Sequence, residues 1–211
     1  MDSVLILSTK INVTSVDEVA RLLQEKESTT LAVCNTNTLV RSHKNKVLQD
    51  KINAFDIRVP YGFPVAKASS ILYKNKQKRV DGYNIFHKTI EKGIKNNLTH
   101  YFFGGDEVVI KKLKLKLEKK YPNINIIGHS CPPFLSYTDL ASNKYVNDLI
   151  EKNADIVWVS LGFPKQEEFI DLLLKNKKIK SNFAAIGAVF EWSAGTKFKA
   201  PEMLANMGVE W

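Results

Sequence analysis

The chain has 211 residues, 44% apolar and 25% charged, with ten Gly and seven Pro, which excludes collagen-like, low-complexity and wholly disordered classes. A chain of this length supports one α/β domain, or one domain with a small lobe, and leaves too little for two separate large ones. The 31 Lys and Arg exceed the 22 Asp and Glu, and the net charge of +9 favours an anionic partner: nucleic acid, acidic lipid or a phosphorylated small molecule.

In chain order, short runs rich in β-branched and aromatic residues at 4–8, 30–35, 55–60, 100–103, 124–128, 156–160 and 183–186 predict strands. Segments with apolar residues three and four apart predict helices over 15–26, 38–50, 81–96, 106–120, 142–153 and 164–175. The run KKLKLKLEKK at 111–120 also alternates with period two, but its length and Asp106 as a helix N-cap favour a basic-faced helix. Strand–helix alternation of this kind predicts an α/β fold, a Rossmann-like and mostly parallel sheet with helices on both faces. The longest apolar stretch, 183–190, falls far short of the ~20 residues a spanning helix needs. The expectation is a cytoplasmic protein, at most peripheral to a membrane. Cys34 and Cys131 form no close pair and have no second Cys or His at metal-ligand spacing, so two reduced, mostly buried thiols are expected.

Familiar nucleotide and hydrolase signatures are absent. Gly104-Gly105-Asp106 lacks G-x-G-x-x-G spacing, Gly195-Thr196-Lys197 has no Gly five residues earlier, and no G-x-S-x-G elbow occurs. His43, His87, His100 and His129 are scattered, and there is no Asp-x-Asp pair to carry a divalent metal on a pyrophosphate. No RNP-like, helix-turn-helix or finger motif supports nucleic-acid binding. An anionic leaving group would then be met by backbone N–H groups, helix N-termini, Arg and Lys, without a metal.

Ligands of a parallel α/β sheet bind beyond the carboxyl ends of its strands, and that edge is legible here. It carries Asn35-Thr36-Asn37, Tyr61-Gly62-Phe63-Pro64, Gly104-Gly105-Asp106, Gly128-His129-Ser130, Leu161-Gly162-Phe163-Pro164-Lys165-Gln166-Glu167 and Gly187-Ala188. Each glycine alone also fits a tight turn, but small and amide residues converging on one rim point to a binding crevice. Most informative is 154–167, ADIVWVSLGFPKQE, where a buried strand turns through Gly-x-Pro and opens a helix. That arrangement sets a cation and an amide at a helix N-terminus where a phosphate or uracil-like ring can be held.

At this motif the chain resembles the WecG/TagA/CpsF family, glycosyltransferase family 26, whose signature is similar to V-x-L-G-x-P-K-Q-E. Further segments agree in order: Arg79-Val80-Asp81-Gly82, Phe103-Gly104-Gly105, Tyr121-Pro122, Ile126-Ile127-Gly128, Pro132-Pro133-Phe134, Ala194-Gly195-Thr196, Ala200-Pro201 and Gly208-Val209-Glu210-Trp211. The resemblance implies inverting transfer of a sugar, N-acetylmannosamine-like or a uronic acid, from a UDP donor to a sugar on a polyprenyl pyrophosphate. Such chemistry builds surface polysaccharides, teichoic-acid linkage units and capsule among them. It implies no metal cofactor, no nucleic acid, a peripheral position at the inner face of a bacterial cell membrane with an anionic surface as partner, and possible homo-oligomers.

Matched by motif, the implied catalytic group is Asn35, Asn37, Tyr61, Arg79 and Glu191. The implied substrate-binding residues are Thr36, Gly62, Gly104, Gly105, Gly162, Pro164, Lys165, Gln166, Glu167 and Gly187. Lys165 fits a pyrophosphate contact and a surface charge equally well. The family's Thr stands two residues before its Asn, where this chain has Asn35. Its turn begins Asp-Gly, with the Asp as general base, and here Tyr61 precedes Gly62. A phenol of pKa near ~10 is protonated at neutral pH, whereas an Asp near ~4 accepts a proton. Asp81, Glu167 and Glu191 are the carboxylates that remain as base candidates; the alternative is a member that binds nucleotide sugar or carrier lipid without efficient transfer. Phe190-Glu191 replaces a usual Phe-Asp, and Lys199-Ala200-Pro201 a usual Arg-Ala-Pro. Relatives continue beyond the position of Trp211 through an Arg-rich membrane-associating tail. The chain is therefore expected to be one glycosyltransferase domain over 1–211 without that tail, leaving Trp192, Phe198, Met203, Leu204 and Met207 partly uncovered.

Overall fold

The computed structural model describes residues 1–25, 27–176 and 179–201; Met203, Leu204, Met207 and the 208–211 motif lie outside them. A small antiparallel hairpin, β1 (Ser3–Ile6) and β2 (Thr9–Asn12), precedes the main sheet. That sheet holds β3 (Thr30–Cys34), β4 (Ile57–Pro60), β5 (Thr99–Gly104), β6 (Asn125–Ser130), β7 (Ile156–Ser160) and β8 (Asn182–Ala185). All neighbours are parallel, in the order β4-β3-β8-β7-β5-β6. The helices are α1 (Val16–Glu25), α2 (Thr36–Lys44), α3 (Lys46–Asn53), α4 (Phe63–Tyr73), α5 (Gly82–Gly93), α6 (Glu107–Lys120), α7 (Tyr137–Leu140), α8 (Asn143–Lys152), α9 (Lys165–Asn176) and α10 (Val189–Ala194). The predicted parallel α/β architecture, consistent with a Rossmann-like fold, is present.

Successive strand side chains point to opposite faces, so each central strand feeds two cores. Ile156 and Trp158 of β7 pack with Phe102, Phe86 of α5, Leu113 of α6 and Phe190 of α10. Val157 and Val159 pack on the other side with Tyr101, Phe103, Leu39 of α2, Ile52 of α3, Leu149 of α8 and Phe169 of α9. Phe103 stacks on Phe169 with ring centroids 4.5 Å apart, and Phe86 meets Trp158 edge-on at 4.9 Å.

Local chemistry explains where the elements depart from expectation. The expected helix over 38–50 is two helices, because Asn45 takes an extended conformation and its side chain accepts from Leu48 N at 3.1 Å, capping α3. The expected strand at 4–8 is β1 of the hairpin rather than a member of the main sheet. Buried Arg58 clamps the hairpin to β4: its backbone N–H donates to Asn12 Oδ1 at 2.7 Å and its Nε to the Lys10 carbonyl at 2.6 Å. Helix α4 escapes the periodicity test because Phe63, Ile71 and Leu72 face outward while Val65, Ala66 and Ser69 face in. As predicted, α6 is a helix capped by Asp106, whose side chain accepts from Val109 N at 2.8 Å.

Candidate active site

A parallel sheet delivers all its carboxyl ends to one edge, and the strand order sets the loops after β4, β3, β8, β7, β5 and β6 side by side. After β3, Asn35 caps α2, its Oδ1 accepting from Thr38 N at 2.9 Å and Thr38 Oγ1 at 3.1 Å. Thr36 and Asn37 therefore sit exposed in the first turn of α2. Tyr61 N donates to the Cys34 carbonyl at 2.9 Å, binding the β4 turn to the β3 turn. Gly62, at φ +84°, then opens α4 in a conformation that a side chain would strain. Val80 N donates to the Pro60 carbonyl at 3.1 Å and draws residues 79–81 to the same place. The Arg79 guanidinium carbon lies 6.0 Å from the Tyr61 ring centroid, and Arg79 Nη2 lies 3.3 Å from Asp81 Oδ2.

Asp81 is occupied structurally. It is 2% exposed, caps α5 by accepting from Asn84 N at 3.0 Å, and accepts from Asn84 Nδ2 at 2.8 Å. Its carboxylate thus holds Arg79 toward Tyr61 while anchoring the helix.

The β7–α9 turn is closed by two latches. Ser160 Oγ donates to the Gly187 carbonyl at 2.6 Å. Gln166, 3% exposed, accepts from Gly187 N through Oε1 at 3.1 Å and donates through Nε2 to Glu167 Oε1 at 2.9 Å. Gln166 therefore joins the start of α9 to the β8 turn with its own amide spent. A Cβ on Gly162 or Gly187 would meet nothing within 4 Å, so both leave bare backbone open to solvent. Gly104 differs: a Cβ there would collide with the Ser160 carbonyl oxygen, so only glycine lets β5 and β7 approach. Pro164 follows a cis peptide with Phe163, and Arg41, one turn after Asn37 on α2, stacks over the Phe163 ring at 5.1 Å.

Charge around the rim is mixed. Glu167 is fully buried with Oε2 unpartnered, and burial pushes its carboxyl up to about 8, so it is largely neutral at pH 7. Glu191, on α10, pairs with Lys197 at 2.8 Å and keeps 24% of its side chain exposed. Lys165 Nζ sits 3.4 Å from the Phe134 ring centroid, and Phe134 itself is 94% exposed.

Two hollows open on this edge. One, of about 480 Å³, is lined by Gly104, Gly105, Asp106, Cys131, Leu161 and Lys165 among others. The second, of about 540 Å³, lies beyond β4 between α4 and the 77–79 segment and includes Phe63, Lys67, Lys78 and Arg79. A smaller cavity of about 250 Å³ sits by Asp155 and Asn182, at the opposite, amino ends of the strands. Among the predicted residues, those of the Asn35, Tyr61, Arg79 and Gln166 turns share the β4-β3-β8 side, whereas Gly104, Gly105 and Lys165 border the other hollow. Sequence reasoning placed Asp106 on the rim but missed Arg41, Glu107, Cys131 and Leu140 there.

One expectation is corrected. Cys131 does have partners of metal-ligand type: Glu107, His129 and Cys131 bring donor atoms within 4.8 Å of one another. His129 and Cys131 are two apart along extended chain and share a side, while Glu107 arrives on the first turn of α6, a meeting that spacing alone does not reveal. Burial, reinforced by Glu107, pushes the Cys131 thiol up to about 12. The trio is of a kind that can hold a transition-metal ion, with Cys131 losing its proton on binding.

A sequence profile of the glycosyl transferase WecG/TagA/CpsF family matches residues 4–211. The chain belongs to that family. Among curated relatives, an N-acetylglucosaminyldiphosphoundecaprenol N-acetyl-β-D-mannosaminyltransferase of Bacillus subtilis (strain 168) is 25% identical over 189 residues, 90% of this chain and 72% of the relative. The enzyme of the same name from Staphylococcus aureus (strain NCTC 8325) is 28% identical over 160 residues, 76% of this chain and 61% of the relative. The chain thus spans less than two thirds of the staphylococcal protein.

Proposed function

We propose that this family member transfers a sugar, N-acetylmannosamine-like or a uronic acid, from a UDP donor to a sugar carried on polyprenyl pyrophosphate, with inversion and without a metal. The observation that carries this reading is the convergence of the Asn35–Asn37, Tyr61–Gly62, Arg79 and Gly162–Gln166 segments on one sheet edge, in a chain whose family is glycosyltransferase. Both substrates bear a pyrophosphate. Bare backbone at Gly162, the start of α9 and the Arg79 guanidinium are groups suited to receive it, while Gly187, whose N–H is taken by Gln166, leaves room beside them. Gln166 orients that surface from behind, and the named chemistry of the relatives, an undecaprenyl diphosphate acceptor, agrees with it. The Glu107–His129–Cys131 trio stands outside the reaction in this reading, so chelation should leave the transfer rate unchanged; a rate lost in EDTA and restored by zinc refutes metal independence.

An inverting displacement needs a base for the acceptor hydroxyl, and each carboxylate near the turn has a cost. Asp81 is sealed and doubly engaged, Glu167 is buried and largely neutral, and Glu191 is tied to Lys197 but about a quarter open to solvent. Glu191 is the base we favour. The arrangement also supports the second reading, a protein that binds carrier or nucleotide sugar and turns over slowly, because Tyr61 occupies the family's Asp position. Transfer of radiolabelled sugar from UDP donors to a short-chain prenyl-pyrophosphate acceptor tests both. Tyr61→Asp should raise turnover by about 10²-fold or more if that position carries the base, the usual scale of general-base catalysis. An unchanged rate with loss in Glu191→Gln assigns the base to Glu191, and no transfer by either protein removes the enzymatic reading.

A further inference from the structure

Helix α4 carries on its outward side what soluble helices avoid. Phe63, Ile71, Leu72 and Tyr73 are 39%, 64%, 65% and 45% exposed, and Phe63, Lys67, Ile71 and Lys74 follow one another at spacings of three and four residues. From Gly62 to Val80 there are five cations, Lys67, Lys74, Lys76, Lys78 and Arg79, and no acid. Elsewhere α1, α6, α8 and α9 all mix both signs. At the end of α4 the Tyr73 hydroxyl donates to the Leu5 carbonyl at 2.7 Å and accepts from Leu5 N at 3.2 Å, which sets another exposed leucine beside the helix.

We propose that this face of α4, apolar residues set among lysines and fixed to the β1 hairpin, docks on an anionic phospholipid surface. The chemistry selects that occupant: an apolar face inserts at the acyl boundary while surrounding cations meet anionic headgroups. Arg79 is turned in on Asp81, but the four lysines are exposed, and a second copy using the same face would place four cations against four, which a symmetric interface cannot relieve. The position fits as well. Helix α4 starts directly after Tyr61-Gly62, and the hollow bounded by Lys67, Lys78 and Arg79 opens at its flank. A membrane beneath α4 would therefore present phosphates to the catalytic rim from the bilayer in which a polyprenyl chain is anchored; only this purpose, not the docking itself, rests on the proposed transferase reading.

The test uses the full chain without sugar substrates, co-sedimented with vesicles of phosphatidylcholine alone or mixed with phosphatidylglycerol. Wild type should partition onto the anionic vesicles, less so at high salt, and weakly onto neutral ones. Ile71→Glu with Leu72→Glu should reduce that partition by about tenfold or more, and Lys74→Glu with Lys76→Glu by at least roughly fivefold per position. All four positions are exposed, so melting should be unaltered, and transfer to a short-chain soluble acceptor should stay at the wild-type rate. Wild type that ignores anionic vesicles, or an Ile71→Glu, Leu72→Glu protein that still sediments fully, overturns the proposal. So does a shift of the double variant from dimer to monomer with vesicle binding unchanged, which assigns the face to self-association. Failure of the transferase reading is distinct: no sugar transfer to the soluble acceptor, whatever the vesicles show.

Discussion

Glu167 is a carboxylate placed where charge is unaffordable, with one oxygen held by Gln166 and the other facing no partner. Between its ordinary value of 4.5 and the folded value of about 8 the native state holds a proton that the unfolded chain has released, so stability falls as pH rises across that window. Glu167→Gln mimics the neutral acid. It should raise the thermal midpoint at pH 8 and leave it nearly unchanged at pH 4.5, the difference growing by about 1 kcal/mol per pH unit for one proton. An equal effect at both pH values would show the carboxyl to be charged in the fold. The motif residues were legible as a group, Lys-Gln-Glu opening a helix, but not the division of labour among them. Gln166 faces the Gly187 amide of the turn after β8, and Glu167 the core beside Cys34 of β3, neighbours remote in sequence. Asp81 shows both sides: its capping role and its contact with Arg79, two residues away, are local, while the approach of Arg79 to Tyr61 required the 79–81 segment to return to the β4 turn.

At the scale of elements, strands announced themselves as short runs of β-branched and aromatic residues and helices by an amphipathic period. The β7 run, for example, is buried at four of its five positions and stands as predicted. Capping chemistry decided what period could not. Asn45 ends α2 and begins α3, and its side-chain bond to Leu48 N at 3.1 Å satisfies a donor that would otherwise be orphaned. Asn45→Ala should destabilise the fold by about 1 kcal/mol in chemical denaturation, with Asn45→Ser recovering most of it; full stability in the alanine variant would mean that packing of Leu48 and Ile52 alone breaks the helix. Helix α4 was invisible for the opposite reason. Its outer face is apolar, so no polar stripe marked it as a surface helix, and the feature that hid it is the one that fits it to a lipid surface.

Across the whole molecule, two histidines, one buried and one half-buried, oppose Glu167. Desolvation holds His87 down to about 3, between Tyr121 and Ser193, and His100 down to about 4, where Trp158 Nε1 donates to its Nδ1 at 3.2 Å. Below their ordinary value of 6.5 the unfolded chain takes up protons that the fold refuses, so stability declines as pH falls. From these three groups a maximum near pH 6.5 is expected, with Glu167 setting the alkaline limb and the histidines the acid one. Thermal midpoints that climb steadily from pH 4.5 to 8 would exclude this balance. Fold class, the glycine-rich rim and the family's motif order were determined by sequence, because hydrophobic period and turn chemistry are local properties written within a dozen residues. Tertiary structure alone decided which rim loops are neighbours, which carboxylates are sealed, and where Cys131 finds His129 and Glu107. Those depend on strand order and desolvation, quantities set by parts of the chain from tens to more than a hundred residues apart.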